Sequence, residues 1–206
     1  MELILNIACA QHSQVVCSLH NEGSVLEGLR AGHFFYCFYC TADNLVYDDK
    51  VTEYPIAIPE TLSVIRQKTA ETFNRYFQKV QDFYSSAVML RKDGSSPLIM
   101  FILHQSVECI YRGSLQSFNG YDKKTHEIRV LMKQVRHRVR RLNYVFTDSI
   151  PENKRLIQLL DMAYINARYE KEYSIEEKDL ALIFEKVKLL HDLAKTVAER
   201  TLCISL

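Results

Sequence analysis

The stretch Pro97–Gly120, PLIMFILHQSVECIYRGSLQSFNG, decides the fold of this chain. Proline is favoured in the first turn of a helix and glycine just past its end, so the stretch is bounded as one helix. Near its start, the run LIMFIL is apolar on every side, which is typical of a helix at the centre of a core. The sequence therefore predicts a helical protein built around this segment.

Helical periodicity continues on both sides of the central stretch. Before it, apolar residues of the segment 62–90 recur every three or four positions. After it we predict a basic helix over residues 125–146, a helix opened by Pro151, and a last helix that begins after a capping-box pattern at Ser174 and Glu177. The fold class is mainly α, an up-down helical bundle of four to five helices.

The first 58 residues differ in character from the rest. Helix formers at residues 24–29, closed by Gly32, alternate with short apolar runs, so we predict a small α/β N-terminal segment. The predicted strands are residues 3–7, 15–19 and 45–47. The aromatic run HFFYCFYC at residues 33–40 fits a buried strand or a short helix equally well. We predict two domains, residues 1–58 and residues 59–206.

Composition excludes several classes of protein. The 206 residues carry 26 basic and 25 acidic side chains and 48% hydrophobic residues, which is typical of a globular protein and gives no bulk charge for nucleic acid or membranes. Because no long apolar run and no signal peptide are apparent, we expect a cytoplasmic protein without a membrane partner. Six cysteines are then expected to be reduced thiols.

Cysteine and histidine are concentrated in the N-terminal forty residues, but their spacing does not complete a zinc site. Only one C-x-x-C pair is present, so we predict no metal and no cofactor, and expect buried cysteines to act as small hydrophobes. The residues concerned are Cys9, His12, Cys17, His20, His33, Cys37 and Cys40.

The central helix places a histidine and a carboxylate one turn apart among apolar residues. His104 and Glu108 share a face, and Gln105 and Arg112 flank them. Burying these groups without partners is costly, so they either form a satisfied polar network between helices or line a cleft. Two ligand types alone do not define a metal site.

Two further segments carry candidate binding residues. The turn GYDKKTH, residues 120–126, brings Lys123, Lys124 and His126 to a helix N-terminus, where a phosphate is favoured, although a capped turn explains it as well. Between Lys123 and Arg141 there are eight basic residues and one glutamate, which indicates either a solvated face or an RNA or phosphate contact.

Three segments together resemble the HEPN family of nucleotide-binding helical bundles. They are FILHQSVE at residues 101–108, GYDKKTH at 120–126 and NARYEKEYSI at 166–175, and the resemblance spans about residues 60–200. The chain looks like the branch fused behind minimal nucleotidyltransferase domains in Bacteroides-type bacteria. The resemblance implies that residues 1–58 are the tail of such a transferase.

Two departures from the family limit the activity that the resemblance implies. A transferase active site needs a Gly-Ser turn and a D-x-D carboxylate pair, and residues 1–58 contain neither, so nucleotidyl transfer is not expected. HEPN ribonucleases have an arginine followed after four to six residues by a histidine. Here Arg168 is followed by Tyr173, and a phenol with a pKa of about 10 is a poor base at neutral pH.

The leading hypothesis is a non-catalytic HEPN bundle that binds a nucleotide or another phosphorylated ligand. Lys123, Lys124 and Arg168 supply positive charge in this hypothesis. The other pocket residues are His104, Gln105, Glu108, His126, Tyr169 and Tyr173. One alternative is an RNA-cleaving, toxin-like ribonuclease that uses Arg168 with His126 or His104 as its base. Another is a structural partner of a separately encoded nucleotidyltransferase. Since HEPN relatives commonly pair, we also expect a homodimer through the first and last helices of the bundle.

Overall fold

The computed structural model describes residues 19–47, 50–51, 53–55, 58–92, 95–120, 122–136, 139–147, 149–169 and 173–203. The chain divides into two compact units, Met1–Ile65 and Arg66–Leu206. The division falls seven residues beyond the predicted boundary and lies inside a long helix.

The N-terminal unit contains helices α1, Glu22–Arg30, and α2, Phe34–Tyr39, followed by a 3-10 turn at Ala42–Asn44. The side chain of Asn21 caps α1 by accepting the Ser24 N–H at 2.7 Å. The two helices approach closely at Gly28, where a Cβ atom would overlap the ring of Tyr36. A glycine is therefore required at this contact.

The described part of the N-terminal unit is helical and has no strand. The aromatic run at residues 33–40, which the sequence left open, forms α2. The strand predicted at residues 45–47 is not formed, because Leu45, Val46 and Tyr47 are exposed and have no neighbouring strand among the described residues. The predicted strand at residues 3–7 and all but Leu19 of the predicted strand at residues 15–19 lie outside the described residues. Gly23 and Ser24 lie within α1 and form no turn.

The second unit is a helical bundle, as predicted. Helix α3 begins in the first unit and continues into this one. The helices of the bundle are α3, Pro59–Leu90; α4, Ser96–Asn119; α5, Ile128–Arg136; α6, Pro151–Tyr169; and α7, Glu177–Leu202. The central stretch becomes α4, with Pro97 in its first turn and Gly120 in the left-handed conformation at its end, φ 66°.

Helix α4 is the core of the bundle and packs against α5, α6 and α7. Its fully buried side chains include Met100, Leu103 and Val107. It also contacts α3, where the Ser106 hydroxyl donates to the Val80 carbonyl at 3.4 Å. At Gly113 a Cβ atom would lie 2.6 Å from the Cβ of Tyr76, so glycine permits the close approach of α3 and α4.

Two predicted helix boundaries were wrong. The basic helix predicted over residues 125–146 is interrupted: α5 ends at Arg136 and a 3-10 segment follows at Arg140–Tyr144. The backbone of Val139 leaves the helical region, and the side chains of Val139 and Leu142 are buried in the bundle. The capping residue of α7 is Glu176 and not Ser174.

The apolar stripes of α3 and α7, which led us to expect a dimer, are buried inside the bundle. Phe73 and Val80 of α3 and Ile183 and Val187 of α7 are buried. The two helices run antiparallel, with the rings of Phe77 and His191 stacked at 4.6 Å. A homodimer would therefore need other side chains. Among the described residues, no helix is long and apolar enough to cross a membrane.

Candidate functional site

The buried carboxylate of Glu108 organises the polar cluster of α4. Its side chain is 6% exposed. It accepts a hydrogen bond from Arg112 at 3.1 Å and one from His126 Nδ1 at 3.0 Å, and the amide of Gln105 lies 3.5 Å away. Glu108 and Arg112 are at positions i and i+4 of the same helix, a spacing that favours this pair. The structure adds His126, from the loop before α5, to the same carboxylate.

The imidazole of His104 is fully buried and both of its nitrogens are engaged. Since a carbonyl oxygen only accepts, Nε2–H donates to the His126 backbone carbonyl at 2.9 Å, and Nδ1 accepts from the Gln105 amide at 3.2 Å. Burial lowers the pKa of His104 below its ordinary value, so the ring is neutral near pH 7. His104 thus positions the loop that carries His126 and does not face solvent.

Arg112 connects the cluster to the loop after α4. Its Nε and Nη2 atoms donate to the two carboxylate oxygens of Asp122 at 2.9 and 2.7 Å, while Nη1 donates to Glu108. The hydrogen bonds to Asp122 raise the pKa of Arg112 above its usual value. One guanidinium therefore joins α4 to the segment that places His126.

His126 and Arg168 meet at the aromatic ring of Tyr164. The imidazole of His126 stacks on this ring at a centroid distance of 4.3 Å, and the Arg168 guanidinium carbon lies 4.2 Å from its centroid. Arg168 also donates from Nε to the Tyr164 carbonyl at 2.7 Å. The side chain of His126 is 51% exposed, so this surface is open to solvent.

The orientation of His126 follows from its bond to Glu108. A carboxylate only accepts, so Nδ1 of His126 carries the proton in that bond. The structure shows no hydrogen bond to Nε2 of His126 from any described residue. Nε2 therefore keeps its hydrogen-bonding capacity on a side chain that is half-exposed. An oriented imidazole beside a guanidinium can bind a phosphate or transfer a proton.

The N-terminus of α5, which the sequence suggested for a phosphate, is already capped. The carboxylate of Asp161 accepts the Ile128 N–H at 2.6 Å, and Thr125 Oγ1 accepts the Glu127 N–H at 3.2 Å. A phosphate at this position would meet the carboxylate of Asp161. Lys123 is half-buried and Lys124 is exposed in the adjoining loop, and their predicted role in binding remains a prediction.

Of the remaining predicted residues, Tyr169 joins the cluster, and the role of Tyr173 remains a prediction. Tyr169 is exposed, and the Arg168 guanidinium lies 5.2 Å from its ring. Tyr173 is half-buried and follows residues 170–172, which lie outside the described residues. Arg168 forms no ion pair with a described carboxylate, and the arginine paired with Glu108 is Arg112.

Sequence reasoning missed Tyr164 and Asp122. Tyr164 lies four residues before Arg168 on the same helix, and this spacing is the signal that it contacts the guanidinium. Asp122 lies within the turn at residues 120–126, directly before Lys123 and Lys124. A carboxylate in a basic turn at a helix exit is a natural partner for an arginine of that helix.

The Cys/His cluster of the N-terminal unit is only partly described. Cys37 is buried, its thiol lies 3.7 Å from the Leu29 carbonyl, and burial raises its pKa. Cys40 is exposed, and Nδ1 of His20 lies 2.8 Å from the Tyr36 hydroxyl. Cys9, His12 and Cys17 lie outside the described residues. The predicted absence of zinc therefore remains a prediction.

Comparison with known families agrees with the geometry. A family model described as HEPN domain matches residues 73–197, which is more than half of the chain. The chain belongs to the HEPN domain family. The matched region contains Glu108, His126, Tyr164 and Arg168. No curated protein matches the chain in sequence. The predicted link of this HEPN domain to a nucleotidyltransferase remains a prediction.

Proposed function

We propose that this HEPN bundle binds a nucleotide or another phosphorylated ligand on the surface formed by His126, Tyr164 and Arg168. One observation carries the proposal: His126 and Arg168 both lie within 4.3 Å of the centroid of one aromatic ring. Both groups lie against one ring, so in this proposal a ligand with several phosphate groups, such as a triphosphate, spans the ring and contacts both. The arginine of this surface has no anionic partner among the described residues.

The supporting residues explain why the surface suits an anion. Glu108 fixes Nδ1 of His126, which leaves Nε2 for the ligand. Tyr164 holds the Arg168 guanidinium against its ring, which limits the side-chain freedom that binding would otherwise remove. A guanidinium with free N–H groups is well matched to phosphate oxygens. The exposed ring of Tyr169 offers a stacking surface for a base.

Titration calorimetry with ATP tests the proposal directly. Arg168→Gln and His126→Gln each remove one charge-assisted or strong hydrogen bond, so we expect each to weaken binding by about 10- to 100-fold. Arg75→Gln, an exposed arginine of α3, is the matched control and should bind as the wild type does. Unchanged affinity in Arg168→Gln would exclude this surface.

A second function, RNA cleavage, is favoured by the bond between Glu108 and His126. A buried carboxylate that orients an exposed imidazole is an arrangement used in general acid–base catalysis. His126 then takes the place of the missing family histidine, whereas His104 has no free nitrogen. Incubation with a single-stranded RNA should give products that disappear in His126→Gln. Intact RNA after incubation with the wild type would leave the binding function alone.

A further inference from the structure

The N-terminal unit contains a cavity of about 780 Å³ that the proposed function does not use. The described residues that line it lie between Val25 and Leu62, and therefore within this unit. Ligand-binding cavities in proteins have volumes of roughly 300–1,000 Å³, whereas packed interiors have few voids larger than a water molecule. The cavity thus has the size of a site for a small molecule.

Helical side chains form the aliphatic part of the cavity wall. Val25 and Leu29 are four residues apart, so they lie on the same face of α1. Leu62, in the part of α3 that belongs to this unit, also lines the cavity. Such a wall offers a ligand apolar contacts and no charge.

Short side chains at the end of α2 leave space for the cavity. Cys37, Cys40, Thr41 and Ala42 all line it, and none of these side chains extends beyond its γ atoms. Burial raises the pKa of the Cys37 thiol, so this thiol is protonated at neutral pH. A longer side chain at one of these positions would occupy the space that a ligand needs.

The rest of the lining combines balanced charge with exposed apolar groups. The charged residues among the described lining are Lys50 and Glu53, whose opposite charges give an anion or a cation no net attraction. Tyr39, Leu45 and Tyr54 also line the cavity and are 54%, 50% and 41% exposed. Exposed apolar groups around a concavity are typical of a ligand site, because a bound apolar molecule removes them from water.

We propose that this cavity binds a neutral small molecule that contains an aromatic ring. The rings of Tyr39 and Tyr54 and the aliphatic side chains contact its apolar part, and the hydroxyl of Thr41 offers one polar contact. The site lies in a different unit from the His126–Arg168 surface. The inference therefore goes beyond the proposed function and does not depend on it.

A fluorescence titration with N-phenyl-1-naphthylamine, a neutral aromatic probe, tests the inference. The probe should bind the wild type with increased emission. Ala42→Trp fills the cavity from an exposed position and should weaken binding by about 10-fold or more. The matched control is Ala31→Trp, which adds the same side chain at an exposed position of the unit outside the described lining. It should bind the probe as the wild type does.

A second measurement on the wild type needs no substitution. Cys40 is exposed and lines the cavity, so a bound molecule should shield its thiol from iodoacetamide. With the probe at ten times its Kd, alkylation of Cys40 should slow about 10-fold. Cys203, exposed at the end of α7, should react at an unchanged rate. Mass spectrometry of the two cysteine peptides measures both rates.

Three results would overturn the inference. They are the absence of probe binding to the wild type, equal probe affinity in Ala42→Trp and Ala31→Trp, and an unchanged rate of Cys40 alkylation with the probe bound. ATP binding without probe binding would overturn this inference alone and leave the proposed function. Probe binding without ATP binding would do the reverse.

Discussion

Replacing Glu108 by glutamine should destabilise the bundle measurably. The carboxylate is 6% exposed and accepts charge-assisted or strong hydrogen bonds from Arg112 and His126 at 3.1 and 3.0 Å. A hydrogen bond to a charged group contributes about 1.5–3 kcal/mol to stability. Glutamine keeps one accepting oxygen, and both donors are partly exposed, so water replaces some of what is lost.

We therefore expect Glu108→Gln to lower the free energy of unfolding by about 2 kcal/mol, which corresponds to a fall in Tm of about 4–8 °C for a chain of this size. Urea unfolding measures the loss, and the slope of the transition should not change because the fold is kept. Glu127→Gln is the matched control. It removes the same charge from an exposed neighbour of His126 and should change stability by less than about 0.5 kcal/mol.

Equal stability of Glu108→Gln and Glu127→Gln would refute the reasoning. It would mean that the buried carboxylate of Glu108 contributes no more to stability than the solvated carboxylate of Glu127 does. The same pair of variants also reports on function. Glu108→Gln should weaken ATP binding because His126 loses the partner that orients its ring, whereas Glu127→Gln should bind as the wild type does.

Three further predictions concern the pH dependence of stability, the oligomeric state and the absence of a metal. Burial lowers the pKa of His104 in the folded protein below its ordinary value of 6.5, so between these two pKa values the unfolded chain binds more protons than the folded one. The contribution of His104 to the free energy of unfolding is therefore fully present above pH 6.5 and is lost as the pH falls below it. His104→Gln should flatten this pH dependence in urea titrations. The protein should be a homodimer in light scattering at tens of micromolar, held by exposed apolar residues such as Met89 and Leu189, and Met89→Lys/Leu189→Lys should give the monomer; a wild-type monomer would contradict this. Chelators should leave Tm unchanged, because the cysteine and histidine spacing does not complete a zinc site; stoichiometric zinc in the purified protein would show the opposite.

The helices of the bundle were predictable because their signals are local. Pro97 and Gly120 delimit α4, and Pro151 opens α6. The apolar period of residues 62–90 extends over the whole of α3. Each signal acts within one or two turns and needs no knowledge of the neighbouring elements.

The interrupted basic helix shows where local signals fail. Its apolar positions continue the helical period from Ile128 through Val139 to Phe146, so the pattern predicts one helix. The backbone of Val139, φ −127° and ψ 68°, leaves the helical region, and Val139, Val145 and Phe146 are all buried. The packing of these buried side chains against the rest of the bundle outweighs the period here.

The candidate site was only partly predictable, because it is assembled across helices. The pairing of Glu108 with Arg112 follows from helical spacing. The contact of His126 with Glu108 joins residues 18 positions apart and depends on the path of the loop after α4. The position of Tyr164 between His126 and Arg168 depends on how α6 packs against α4, which sequence periodicity does not specify.

The most direct test of ligand binding at Arg168 is a set of four melting curves, for the wild type and Arg168→Ala, each with and without ATP. Because Arg168 is exposed and lies against Tyr164, its removal alone should cost only about 0.5–1 kcal/mol. At a hundredfold excess over its Kd, ATP should stabilise the wild type by about 2.7 kcal/mol and leave Arg168→Ala nearly unchanged. No shift of the wild-type curve with ATP, or an equal shift in both proteins, would contradict the account.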